Sequence, residues 1–192
     1  MNKVLENLDC FEVQDEDFEH QSFLHGRLHT HRVMAWVCVL AQKLNMDGQG
    51  RLAFFAAKVH DLGRLTDGRE PGHGLRSADL FLPKYKALFE QHGLQNNEYD
   101  IVYTAVRLHS RSDEPPTGIS HIEVIHLLKD ADGLDRVRLG DDEPDIRYFR
   151  NDISKSLVSQ ARRLYDITEE KRNLSLKETV ELAFELVNSR RV

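Results

Sequence analysis

The chain has 192 residues, 40% hydrophobic and 30% charged, with a formal net charge of -6, a profile that fits one globular core and excludes a disordered, fibrous or membrane-embedded chain. The negative balance argues against extended contact with nucleic acid or an anionic membrane. Cys10 and Cys38 are too few for a disulfide framework, the apolar run "VMAWVCVLA" is too short to span a bilayer, and the polar N-terminus lacks a signal-peptide pattern, so a cytoplasmic protein with reduced thiols is expected.

Helical periodicity dominates the chain. Val33, Trp36, Val37, Leu40 and Leu44 form one stripe of a helix from His29 to Leu44 that stops near Asn45 and Gly48. His29 is the next position down that stripe, His31 lies off it as a partly exposed neighbour, and His25 precedes the helix in a turn that could also line a site mouth. A second helix covers Gly50 to Asp61, and the loop "GRLTDGREPGHG" leads to a third that begins near Leu75 and stops at Pro83, followed by a short helix. In "NEYDIVYTAVRLHS" Ile101, Val102, Ala105, Val106 and His109 share a stripe before a break at "SDEPPTG". "SHIEVIHLLKDADGLDRV" opens with Ser120 and Glu123 at capping-box spacing and reaches Asp132 just before Gly133. After the acidic loop "GDDEPDIRYFRND" come two amphipathic helices, "SKSLVSQARRLYDIT" and "SLKETVELAFELVNS". The expectation is an all-α fold in a single domain, residues 1–192.

Two acids stand where helix electrostatics disfavours them. Backbone dipoles leave partial negative charge at a helix C-terminus, yet Asp61 falls in the last predicted turn before Gly63, read as a left-handed stop, and Asp132 repeats the pattern before Gly133. Each acid alone is satisfied by a salt bridge, such as Asp61 to Arg64, or by capping the next segment. Together with His29, His60 and His109, they place ligand-type side chains in line with the apolar faces of four helices. Packing those faces together would bury imidazoles and carboxylates at several kcal/mol per charged group. A divalent cation resolves the conflict by neutralising both acids and accepting imidazole nitrogen. The remaining histidines, His20, His92, His121 and His126, read as structural or surface residues.

The order His29, His60-Asp61, Asp132, in the contexts "HGRLHTHRV", "VHDLGR" and "LKDADGLDRV", resembles the H…HD…D signature of the HD superfamily of metal-dependent phosphohydrolases over about residues 18–137. The C-terminal helices, residues 150–189, carry no such motif. The resemblance implies an HD-domain helical bundle with its metal site between the central helices. The ligands would be His29, His60, Asp61 and Asp132, and the ion manganese, zinc, magnesium, cobalt, nickel or iron. "GHGLRSADLF" resembles the stretch after the HD pair in binuclear members and in CRISPR-associated HD nucleases, which points to His73; "AVRLHSR" resembles their His-His step, with Ser110 in the second position. One tightly held ion is therefore expected, with His73 and His109 facing substrate phosphate or holding a second ion weakly.

The activity implied is hydrolysis of a small phosphate ester, a nucleotide for instance, by metal-bound hydroxide attacking phosphorus. His73 and His109, when protonated, would stabilise the phosphoryl charge or protonate the leaving oxygen. Arg64 is either a bidentate phosphate clamp or a partner of Asp61 or Asp67. A metal-dependent nuclease, a non-catalytic nucleotide-binding regulatory domain and a di-iron oxygenase are the alternatives. Substrate selection would lie in the loops from Thr66 to Gly74 and from Gly140 to Arg150.

Overall fold

In the computed structural model, which describes residues 1–110, 118–140 and 142–189, every regular element among the described residues is helical. In chain order these are α1 (Asn2–Leu5), α2 (Arg27–Leu44), α3 (Asp47–Val59), α4 (His73–Leu80), α5 (Leu82–Gln91), α6 (Tyr99–His109), α7 (Ile122–Asp135), α8 (Asp152–Ser156), α9 (Val158–Glu170) and α10 (Leu176–Asn188), joined by short 3-10 turns. Helix α2 lies at the centre. It packs on α3, α7 and α10, while α3 also meets α6 and α7, and α6 packs on α4. One apolar cluster runs through these contacts from Val4 to Leu186. No described helix is long and apolar enough to cross a membrane.

The amphipathic stripe expected for α2 understates its burial, because every residue from Leu28 to Ala41 is buried. A helix enclosed by neighbours on all sides has no polar face to spare. His31 is accordingly not a partly exposed neighbour: it is fully buried and stands 3.3 Å from Glu12 Oε1, with burial pushing its imidazole down to about 3. Asn45 ends α2 in the left-handed conformation, as its residue type favours. Cys38 is buried and unpaired, and burial pushes its thiol up to about 12.

Several helix ends fall elsewhere than the sequence pattern places them. Helix α3 stops at Val59, so Asp61 sits in the turn beyond it rather than in its last turn. Gly63 is not left-handed; its backbone N–H donates to Ser77 Oγ at 3.0 Å, and a Cβ at this position would stand 2.7 Å from the Ser77 amide nitrogen. The glycine therefore permits close approach of the turn to α4. Gly63→Ala should destabilise the chain by about 1–3 kcal/mol, since two backbones must separate, and the urea midpoint measures the loss. Helix α4 starts at His73 and ends at Leu80, and Pro83 occupies the first turn of α5, where its missing N–H has no partner to lose.

Helix α7 runs through Asp132 and Gly133 to Asp135, so neither residue marks its end. Gly133 instead admits Phe149, whose Cε1 would lie 3.0 Å from an added Cβ. The Ser120–Glu123 capping box does not form; His121, in the left-handed region, precedes the helix. At the other end of the chain, Ser175 and Glu178 do form one for α10, while the segment before it splits at Leu157 into α8 and α9. The break expected at "SDEPPTG" lies outside the described residues apart from Gly118.

Candidate metal centre

Four helices and one turn bring together the residues that the sequence pattern singles out. His29 comes from the first turn of α2, His60 caps α3 with Asp61 next to it, His73 opens α4, His109 closes α6 and Asp132 lies on α7. His29, His60, Asp61, His73 and His109 are buried, and Asp132 is partly exposed at the edge of the cluster. One carboxylate organises it. Asp61 Oδ2 lies 3.5 Å from His29 Nε2 and 3.7 Å from His60 Nε2, and Asp132 Oδ1 is 3.5 Å from the same His29 nitrogen. The other oxygen, Oδ1, faces His73 Nε2 at 3.0 Å and His109 Nε2 at 3.4 Å.

The protonation of these rings follows from their outer contacts. His60 Nδ1 donates to Ala57 O at 2.7 Å, His109 Nδ1 to Val106 O at 2.6 Å and His73 Nδ1 to Glu70 O, because a carbonyl oxygen only accepts. His29 Nδ1 donates to Asp135 Oδ2 at 2.7 Å. In a neutral imidazole the other nitrogen then carries a bare lone pair. Four such lone pairs point at a carboxylate. They also oppose one another, with His29 Nε2 3.2 Å from His60 Nε2 and His73 Nε2 3.0 Å from His109 Nε2. Asp61 Oδ1 is buried and accepts no hydrogen bond.

An assembly of acceptors facing acceptors needs positive charge at its centre, as protons or as a metal cation. Burial opposes a proton on His60, pushing its imidazole down to about 3. For Asp61 burial works upward, but the surrounding imidazoles, His60 foremost, hold the carboxyl well below its ordinary value; for Asp132 burial is likewise outweighed, by His29, His60 and Arg138. Neutral imidazole and ionised carboxylate are the ligand forms of both groups. The donor set therefore fits a divalent cation, and three overlapping triads, His29-His60-Asp132, His25-His29-Asp61 and His60-Asp61-His109, each bring ligand-type atoms within 4.8 Å of one another.

Asp135 was not singled out in the sequence, although its i, i+3 spacing from Asp132 on one helix puts the two acids on a shared face. It is fully buried, orients His29, and takes Arg32 Nε at 2.5 Å. Arg32, buried on α2, continues to Thr168 Oγ1 at 3.0 Å and Glu169 Oε1 at 3.2 Å on α9. The C-terminal region without a motif thus supports His29 through a chain of buried polar contacts. Such outer carboxylates fix the tautomer and direction of a ligand histidine. His25 belongs both to a turn and to the site, its Nδ1 lying 3.1 Å from Asp61 Oδ2 and 3.2 Å from Arg138 Nη2.

Arg64 donates to Thr66 O at 3.2 Å and Gly68 O at 2.7 Å, while its nearest approach to Asp61 is 3.8 Å. It lies against the His73 ring rather than forming a close pair with Asp61. Ser110 donates to Pro71 O at 3.2 Å, a loop contact.

Above the cluster opens a cavity of 1170 Å³. Its walls include parts of both loops that the sequence suggested for selection, residues 67–73, 143–145 and 148–150. The second loop is anchored by Asp130, a fully buried acid on α7 that accepts from Arg150 N, Asn151 N and Ser154 Oγ at 2.8–2.9 Å. His20, His92 and His121 lie outside the cavity lining. No protein-family model, curated protein or solved structure matches the chain.

Proposed function

We propose that this chain is a metal-dependent phosphohydrolase acting on a small phosphate ester, in keeping with its resemblance to the HD superfamily. The observation that carries the reading is the convergence of four lone-pair imidazole nitrogens on the buried Asp61 carboxylate, at the base of a cavity that arginines line. His29, His60, Asp61 and Asp132 would hold the ion. A divalent cation there lowers the pKa of coordinated water and neutralises phosphoryl charge. Asp135 keeps His29 Nε2 directed inward by holding its Nδ1 proton. On the other side of Asp61, His73 and His109 are locked by carbonyls at Nδ1, so a proton gained at Nε2 is available to a phosphoryl or leaving oxygen.

The direct test is a phosphatase screen across nucleotides and phosphorylated metabolites, using metal-stripped protein with single ions restored. Turnover that returns with one or more divalent ions is expected. Ion and nucleotide binding without turnover would favour a regulatory domain, and cleavage of single-stranded DNA a nuclease. The convergence of His73 and His109 on Asp61 Oδ1 also favours a second reading, in which Asp61 bridges two ions. Two imidazoles and half a carboxylate are few donors for tight binding, so elemental analysis should find about one retained ion per chain. His109→Ala should lower turnover more than metal content. Two retained ions that fall to one in His109→Ala would establish the bridged arrangement instead.

A further inference from the structure

We propose that the substrate carries a second anionic group beside the phosphoryl group at Asp61, and that Arg69 and Arg107 bind it. This rests on the hydrolase reading only for what happens at Asp61. The cavity, at 1170 Å³, exceeds the range of about 300–1,000 Å³ that holds a drug-sized ligand, so a lone phosphate monoester would leave most of it to water. Its polar lining is unevenly compensated. Of the acids there, Asp61 and Asp132 belong to the ligand cluster. The other four are engaged: Asp67 by the Ser22 hydroxyl, Glu70 by Arg76, Glu143 by Arg136 at 2.8 Å, and Asp145 by Arg147 at 2.6 Å.

The cations divide differently. Arg136 is held by Glu143; Arg138 is spent on Leu24 O and Asp135 O; Arg64 is spent on the carbonyls of its own loop; Arg150 donates to Tyr148 O, and Lys129 is buried in the wall. Arg69 and Arg107 both face the cavity and are exposed, and neither forms an ion pair with a described residue.

Their parent elements adjoin. Arg69 lies on the loop that ends in His73, and Arg107 on α6 two residues before His109. That loop is fastened to the end of α6 by the Ser110–Pro71 contact, and Gly74 lets α4 press so close to α6 that a Cβ would stand 2.7 Å from Val106 O. Both arginines line the same cavity as His73, His109 and Asp61. Guanidinium pairs with phosphate oxygens through parallel N–H bonds. The chemical class this selects is a phosphoanhydride, or an ester bearing a second phosphate or carboxylate near the first.

Calorimetric titration of the full chain with pyrophosphate and with orthophosphate tests the subsite apart from turnover. Pyrophosphate should bind at least about tenfold more tightly than orthophosphate, the increment expected for charge-assisted bonds from two guanidinium groups. In Arg69→Ala/Arg107→Ala that ratio should collapse to near one. Both side chains are exposed, so the variant should melt with the wild type. A wild-type ratio near one, or a ratio unchanged in the double variant, overturns the proposal, even if monoesters are hydrolysed. A preserved ratio and its collapse in the variant, in a protein that hydrolyses no phosphate compound, would support the subsite while removing the hydrolase reading.

Discussion

Asp61→Asn is expected to abolish metal retention and phosphatase turnover while leaving the chain folded. Asp61 is the one side chain to which both halves of the site are directed, Oδ2 toward His29 and His60 and Oδ1 toward His73 and His109. Outer partners of metal ligands are worth roughly 10–100-fold in affinity or activity, so removing a central carboxylate should reduce both by about 100-fold or more. In excess chelator the outcome differs. Wild-type protein then has lone pairs facing a buried carboxylate with no cation between them, a repulsive arrangement in a medium of low dielectric. Asparagine keeps the shape, removes the charge and supplies an N–H donor to the neighbouring imidazoles. The melting temperature in chelator should match or exceed that of the wild type. A variant that unfolds in chelator would make Asp61 a structural ion-pair partner.

Asp135→Ala should produce the largest loss of stability. It leaves the Arg32 guanidinium, 1% exposed and held at 2.5 Å by Asp135, without its principal carboxylate. Breaking a buried pair from one side destabilises by about 3–5 kcal/mol, which for a chain of this size lowers the melting temperature by roughly 6–20 °C. The same substitution frees His29 to turn, so metal affinity should fall by about 10–100-fold. The double substitution Arg32→Met/Asp135→Leu separates the two effects. It removes both charges, so melting should recover toward the wild type, whereas metal affinity should stay low because His29 still lacks its acceptor. If Asp135→Ala leaves melting unchanged, the pair contributes nothing to stability; if the double variant regains wild-type metal affinity, Asp135 does not orient His29.

Much of the helical framework was legible in the chain. Apolar side chains at intervals of three and four residues reflect the helical period itself, and this marked α2, α3, α6 and the C-terminal helices within a few residues of their observed positions. The same periodicity put His29, His60 and His109 on buried faces, and all three are buried. Local signals misled where a tertiary contact competed with them. Gly63 and Gly133 look like helix terminators, yet one admits Ser77 and the other Phe149, each from a neighbouring element. A glycine permits an unusual dihedral angle or a close neighbour, and sequence alone does not say which. His31 looks exposed by its position off the stripe, but the N-terminal segment covers it, with Val13 N–H donating to its Nε2 at 3.4 Å and Glu12 Oε1 3.3 Å away.

The all-helical fold and the set of ligand-type side chains that turn inward are readable along the chain, because helical period and the penalty for burying polar groups are properties of short segments. Long-range packing sets which oxygen of Asp61 each imidazole faces, how Asp135 and Arg32 connect His29 to α9, and that Arg69 and Arg107 line one cavity with the cluster. Those relations join residues separated by tens to more than a hundred positions. They depend on how whole helices pack, and no local periodicity encodes the angle and depth at which one helix meets another.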